Sequence, residues 1–287
     1  MKSINNVITK TSPKPGTTVA VFCGVHGNER AGILTVDRLA KELEVIAGTV
    51  HLVYANPPAI EKNVRLVNAD LNRLFLRRDA PSASYEYGRA ADLMDLLDEC
   101  DALLDLHSYP APVAPAEAVP FAICEPISYP LAALFDVPIV VSGFTDAEGG
   151  GSDGYMFLNG KPGICVELGA NERPDLFVNL GLDTAKRFLA HFGCVATRHP
   201  PLATRHQQHL ALKTFYKKTH EDFRLIREFK NLERLQANEP IAVVNGLVLK
   251  AESDSHIIFP YANRPVGIEA FLLAKECSVS VSASVTP

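Results

Sequence analysis

Residues Val19–Arg30 read VAVFCGVHGNER, and the architecture of the chain follows from this stretch. Val19–Phe22 is an apolar run that predicts a strand buried on both faces. Gly24 and Gly27 then break the chain around His26, and Glu29 opens a helical pattern. His26-x-x-Glu29 therefore sets an imidazole and a carboxylate where a strand ends. Ligands bind at that edge in open α/β sheets. Both side chains are zinc-competent, and a catalytic zinc takes three protein ligands and keeps a fourth position open.

Downstream, Arg30–Leu43 carries a helical stripe of Ile33, Leu34, Val36, Leu39 and Leu43. Gly48–Ala55 reads as a second strand, so the first three elements form a βαβ unit with parallel pairing. Tyr85–Glu99 predicts a helix and Ala102–Leu106 a strand that ends at His107. Phe121–Cys124, Pro138–Ser142 and Ile164–Leu168 predict further strands, with Pro130–Asp136 helical. Asp146–Gly154, DAEGGGSDG, predicts a flexible loop and a candidate lid. Residues 1–16 read as polar and turn-like. The pattern changes beyond about residue 205, where alternating runs and Asn245-Gly246 predict hairpins. The expected fold is α/β, a mixed and largely parallel sheet flanked by helices. A larger α/β domain over residues 1–200 is followed by a small, mostly β domain over 201–287, and the tail Ser278–Pro287 is expected to be disordered.

The 287 residues are 47% hydrophobic and 21% charged, which suits a globular chain with a sizeable core. A net charge of −5 offers no basic stripe, which argues against a nucleic-acid partner. No apolar run reaches the length of a membrane span. The N-terminus carries no apolar signal segment, so the expected location is cytoplasmic. The sequence leaves homo-oligomer formation open. Six cysteines without a C-x-x-C pair read as buried free thiols in a reducing compartment.

His107 supplies the third ligand. It ends an apolar strand as His26 does, so a parallel sheet would bring His26, Glu29 and His107 together. Two imidazoles and one carboxylate match hydrolases that activate water. His51 lies inside a strand and reads as a packed core histidine. Glu167 stands in an apolar run, where burial of a carboxylate is costly unless it is paired or functional. It could serve as a general base and acid. The alternative is an edge-strand glutamate facing solvent, and spacing alone does not choose between them. Arg65, Asn72 and Arg73 suit anion handling. For these three, taken alone, a solvated loop with local pairs such as Asp70 with Arg73 is the plainer reading.

These residues also carry a resemblance. His26-x-x-Glu29, Asn56-Pro57-Pro58, Arg65, Asp70-Leu71-Asn72-Arg73-Leu74-Phe75, Asp105-Leu106-His107 and Glu167-Leu168-Gly169 recur in the order and rough spacing of one family. The chain resembles the aspartoacylase/succinylglutamate desuccinylase family, a branch of the zinc carboxypeptidase superfamily. The resemblance implies one Zn2+ on His26, Glu29 and His107, with Glu167 as general base and acid. It implies that Arg65 polarises the scissile carbonyl, and that Asn72 and Arg73 hold an α-carboxylate. A tyrosine from the small domain, Tyr261, would lie over the substrate. The implied activity is hydrolysis of the amide of a small N-acyl amino acid. The rivals are a metallocarboxypeptidase acting on short peptides and a zinc-binding protein of the same fold without catalysis. Aspartoacylases carry a further arginine shortly before the glutamate strand. Here Ser152–Pro162 holds only Lys161, with Phe157 near the expected place. An acidic substrate is thereby disfavoured and an apolar one favoured, unless Arg173 compensates.

Overall fold

The computed structural model describes residues 5–76, 84–111, 114–147, 149–196 and 207–279. The break at His199–Pro201, the boundary near residue 200 and nearly all of the tail lie outside the described residues. Among the described residues one sheet of 11 strands runs through the chain. Its N-terminal part holds β1 (Val7–Thr11), β2 (Thr18–Cys23), β3 (Thr49–Tyr54), β4 (Ala102–Tyr109), β5 (Phe121–Ile123), β6 (Ile139–Ser142) and β7 (Gly163–Ala170). The C-terminal part adds β8 (Gln208–Lys217), β9 (Arg224–Leu225), β10 (Glu233–Leu235), β11 (Pro240–Val244), β12 (Leu247–Lys250), β13 (Ser255–Ile258) and β14 (Glu269–Glu276). The order across the large sheet is β1-β3-β2-β4-β7-β5-β6-β8-β14-β13-β10, and β12-β11-β9 form a separate small sheet.

Strand β2 shows why the run Val19–Cys23 is apolar throughout. Its alternate residues point to opposite faces. Val19, Val21 and Cys23 pack with Ile33, Val36 and Leu39 of helix α1 (Arg30–Glu42). Ala20 and Phe22 pack on the other side with Leu93, Met94 and Met156. The helical layers are therefore α1 with a late helix on one face, and a middle pair on the other. In chain order the remaining helices are α2 (Pro57–Lys62), α3 (Tyr85–Asp98), α4 (Tyr129–Ala132), α5 (Phe144–Ala147), α6 (Ser152–Leu158) and α7 (Val178–His191). Strands β3, β2, β4 and β7 pair in parallel, whereas β1 and β5 pair antiparallel to β3 and β7.

The structure departs from expectation at four places. Residues Val7–Thr11 form an edge strand instead of a polar leader, with His51 Nδ1 2.9 Å from Thr9 Oγ1 across the pair. The stretch expected as a lid forms α5 and the start of α6, and Gly150 lies so close to the Arg73 backbone that a Cβ would approach it to 2.6 Å. The helix expected over Pro130–Asp136 is the single turn α4. Strand β4 does not stop before His107 but runs on to Tyr109.

The C-terminal β region joins the large sheet directly, because β8 pairs parallel to β6 and antiparallel to β14. Asn245 and Gly246 both take positive φ, 51° and 73°, at the turn of the β11–β12 hairpin. All six cysteines are free, and five are buried.

Candidate active site

The site forms on the α3/α6 side of β4 and β7. Strand β4 places Asp105 and His107 on one face, since residues two apart share a face. In the parallel pairing His107 stands opposite Glu167 of β7. Past β2, the chain turns through Gly24 (φ 64°) and presents His26. Gly27 can only be glycine here, because a Cβ would lie 2.0 Å from the Ala59 carbonyl carbon. The Gly27 N–H donates to the Arg65 carbonyl at 3.3 Å, which ties the His26 loop to the arginine segment.

His26, Glu29 and His107 are all buried, and their ligand atoms lie within 4.8 Å of one another. His26 Nδ1 is 2.7 Å from Glu29 Oε1, and His107 Nδ1 is 3.0 Å from Glu29 Oε2. Each ring meets a second carboxylate on its far side. His26 Nε2 is 3.0 Å from Asp70 Oδ1, and His107 Nε2 is 3.2 Å from Asp105 Oδ2. Such outer carboxylates fix the tautomer and orientation of metal-binding imidazoles. The donor set thus fits a divalent metal, with both Nδ1 atoms turned toward Glu29. Burial would raise the Glu29 carboxyl, but His26 and His107 outweigh it and hold the group well below the usual range. Burial likewise opposes charge on His107, yet Asp105 and Glu29 keep its proton well above the ordinary histidine range.

His107, Cys165 and Glu167 form a second group with metal-binding spacing. It is the poorer candidate. Burial, with Glu167 alongside, pushes the Cys165 thiol well up, which disfavours the thiolate that a metal needs.

Glu167 is buried at 6% exposure, and the alternative of an edge-strand side chain in solvent is set aside. Burial, reinforced by the Glu29 charge, pushes its carboxyl up to about 8. A carboxyl group in that range suits proton exchange near neutral pH. Arg65 reaches the same place, with its guanidinium 3.5 Å from Glu29 Oε1 and 3.1 Å from Asp70 Oδ2.

A short turn at Leu71–Arg73 carries Asn72 and Arg73, and its first N–H groups are organised by Asp70. The Asn72 N–H donates to Asp70 Oδ1 at 3.0 Å. Asp70 meets His26 and Arg65 through its side chain, and the charge of Arg73 acts on it as well. Arg73 donates to Glu269 Oε1 at 3.2 Å.

A cavity opens over these groups. It is lined by His26, Glu29, Arg65, Asn72, Arg73, His107 and Glu167 from the N-terminal part, with Asp153 at the start of α6. Phe259, Tyr261, Arg264 and Glu269 close it from the C-terminal β region. The Tyr261 hydroxyl is buried without a hydrogen-bond partner among the described residues, and burial beside Glu167 keeps it protonated. Arg264 stacks over the Tyr261 ring at 4.7 Å. Arg173 does not compensate for the missing arginine. It is half-exposed, pairs with Asp175 at 2.9 Å, and does not line the cavity.

Sequence reasoning quoted Asp105 in a motif without giving it a role, and it missed Ser152, Asp153, Arg264 and Glu269 as parts of the site. Asp105 carried a usable signal, since a carboxylate two residues before a strand histidine shares its face. Ser152 donates to Asp105 Oδ2 at 2.5 Å and so braces His107 from the helix side. Arg264 and Glu269 lie too far along the chain for any spacing to attach them.

Comparisons with known proteins bear on the lineage and the fold. A family model described as the succinylglutamate desuccinylase/aspartoacylase catalytic domain matches residues 15–192. Aspartoacylase from Xenopus tropicalis is 39% identical over 108 residues, covering 33% of this chain and 34% of that protein. Succinylglutamate desuccinylase from Ectopseudomonas mendocina is 38% identical over 86 residues, 28% of this chain and 25% of that one. The matched stretches thus span about a third or less of those relatives. A succinylglutamate desuccinylase structure from Vibrio cholerae superposes with a TM-score of 0.78 at 19% identity, covering 94% of this chain and 85% of that one. One from Vibrio parahaemolyticus gives 0.76 at 19% identity, with 95% and 86% covered. At such identity these structures speak for the fold, and the matched domain speaks for the lineage: the chain belongs to the succinylglutamate desuccinylase/aspartoacylase family.

Proposed function

We propose that this protein is a zinc-dependent hydrolase that cleaves the amide bond of a small N-acyl amino acid. The observation that carries the reading is the placement of Glu167 directly across from His107. There a proton-exchanging carboxyl stands against a buried three-residue donor set. His26, Glu29 and His107 would hold one zinc, which supplies a Lewis acid for the scissile carbonyl.

The chain's own residues divide the remaining work. Glu167 takes a proton from the attacking water and returns it to the departing amine. The Arg65 guanidinium, already oriented by Asp70, stabilises the negative charge that develops on the carbonyl oxygen. Asn72 and Arg73 hold the α-carboxylate, and Tyr261 covers the substrate from the far wall. Residues 201–287 act as the cap in this reading, supported by the four residues they give to the cavity wall. A capped cavity suits a small substrate better than a peptide chain. Free buried thiols support a reducing, cytoplasmic setting. Among the described residues no helix is long and apolar enough to cross a membrane.

The test is amine release by zinc-loaded protein, against a chelated control, over N-acetyl, N-formyl and N-succinyl amino acids and a few dipeptides. Zinc-dependent cleavage within one acyl class is expected. Cleavage of dipeptides alone would replace this reading with that of a carboxypeptidase, and no cleavage with zinc bound would overturn catalysis altogether.

A further inference from the structure

The segment that carries Arg65 is not held by an apolar core. No residue from 60 to 70 is fully buried, and from the end of α2 to the turn at Leu71–Arg73 the chain forms neither helix nor strand. Polar contacts fix it instead. The Val64 N–H donates to the Ala59 carbonyl at 3.0 Å, and the Arg65 carbonyl accepts the Gly27 N–H at 3.3 Å. The Arg65 guanidinium donates to Asp70 Oδ2 at 3.1 Å, which closes a loop with Val67 and Asn68 at its middle.

Both N–H groups at that middle end on one acid. Glu86 Oε1 accepts from Val67 at 2.8 Å and from Asn68 at 3.1 Å. Glu86 stands on the first turn of α3 and is wholly buried, and it does not line the cavity. Helix α3 is itself anchored, since Leu93, Met94 and Leu97 pack with Phe22 of β2. One turn beyond Glu86, Arg89 donates to the Tyr54 and Ala55 carbonyls at 2.9 and 2.8 Å, where β3 ends. Thus α3 grips the chain on both sides of α2, through Arg89 before it and Glu86 after it.

A carboxylate is a costly anchor in this position. Glu86 Oε2 is buried with no hydrogen-bond partner among the described residues, and an unpaired buried acceptor subtracts from stability. An apolar side chain of similar volume would occupy the space without that cost. What the acid adds is geometry. Two charge-assisted N–H bonds to a single oxygen hold a loop to one place, which contact with an apolar side chain does not.

We propose that Glu86 is a positioning residue for Arg65. It touches no substrate, and it sets the loop from which the guanidinium reaches the developing charge; this rests on the proposed hydrolase reading. Glu86→Met removes the acceptor and keeps a long side chain, whereas Glu86→Gln keeps one acceptor oxygen. At saturating zinc, on the N-acyl amino acid that the wild type cleaves best, Glu86→Met is expected to lower kcat by about 10- to 100-fold, the scale for displacing a catalytic group by an ångström. KM changes much less, and Glu86→Gln recovers most of the loss. In an Arg65→Ala background the same Glu86→Met step is expected to cost less than about 3-fold, because the group it positions is gone. Hydrogen exchange gives a readout without turnover. The Val67 and Asn68 amides exchange faster in Glu86→Met, while Leu93–Leu97 and the melting temperature stay near the wild type.

An unchanged kcat in Glu86→Met overturns the proposal, and failure of Glu86→Gln to recover activity overturns the shared-acceptor basis. An equal loss in the wild-type and Arg65→Ala backgrounds overturns the assignment to Arg65. Faster exchange throughout α3 with a large fall in Tm makes Glu86 a general support of the fold and overturns positioning as well. A wild type that cleaves no N-acyl amino acid overturns the hydrolase reading itself, and the exchange measurement then still decides whether Glu86 holds the loop.

Discussion

Asp70 Oδ1 lies 3.0 Å from His26 Nε2, on the side of the ring opposite Glu29. The same carboxylate receives the Arg65 guanidinium and the Asn72 N–H. Burial would raise the Asp70 carboxyl, but His26 and Arg65 outweigh it and hold it well below the usual range. One acid therefore orients a ring of the candidate donor set, an arginine and the turn that bears Asn72 and Arg73. Asp70→Asn keeps the shape and loses the charge. Its expected effect is a loss of zinc affinity of about 10- to 100-fold, the usual cost of removing an outer carboxylate. Competition with a metal indicator measures it, and unchanged affinity would show that Asp70 serves only the turn.

Glu167→Gln separates binding from turnover. The amide cannot exchange the proton, so kcat is expected to fall by about 10²- to 10⁴-fold. Zinc content, measured on the purified variant, stays at one per chain because Glu167 is outside the donor set. Near-full activity would end the general-base assignment.

Glu269 sits on Arg73 at 3.2 Å, where in the proposed reading a substrate α-carboxylate would compete with it. Glu269→Gln removes the competitor's charge. KM is expected to drop roughly 2- to 5-fold, in keeping with the modest worth of a partly exposed pair, while kcat changes less. A higher KM would instead show that Glu269 holds Arg73 in its working position.

Asp153 gives a pH signature in the free protein. Burial, with Asp105 nearby, pushes its carboxyl from the ordinary 3.8 up to about 7. The folded chain then holds this proton to a higher pH than the unfolded chain does. The contribution to stability is full below about pH 4 and is lost as pH rises through about 7. Asp153→Asn cannot lose that proton. Its Tm is expected to fall less than that of the wild type between pH 4.5 and 7.5, as read by thermal melting across buffers. Parallel Tm curves for the two proteins would place the acid in a better solvated setting.

The N-terminal half was legible because its signals are local. Val19–Cys23 is apolar on both faces, and His26, Glu29 and His107 fall beside strands that pair in parallel. Glu167 joined them by register, which a buried V-E-L run does not reveal alone. Val7–Thr11 was missed because an edge strand with mostly half-exposed and exposed residues lacks the apolar run of a central one. Helix α6 was missed because Gly149–Gly151 and Gly154 weigh against helix, while its burial against Phe22 and Met94 comes from tertiary packing. Arg264 and Glu269 reach the site only because β13 and β14 bring the chain back. No residue pattern encodes that return.

Strand β8 is bonded to β6 on one side and to β14 on the other. The roof of the cavity is consequently woven into the same hydrogen-bonded fabric as its floor. Tyr261 stands on the loop between β13 and β14, and its N–H donates to the Ala270 carbonyl at 2.7 Å, so the loop is pinned to the strand that follows it. In the proposed reading, a bulkier acyl group would press on this loop before it reached the sheet, and widening the range calls for smaller side chains there.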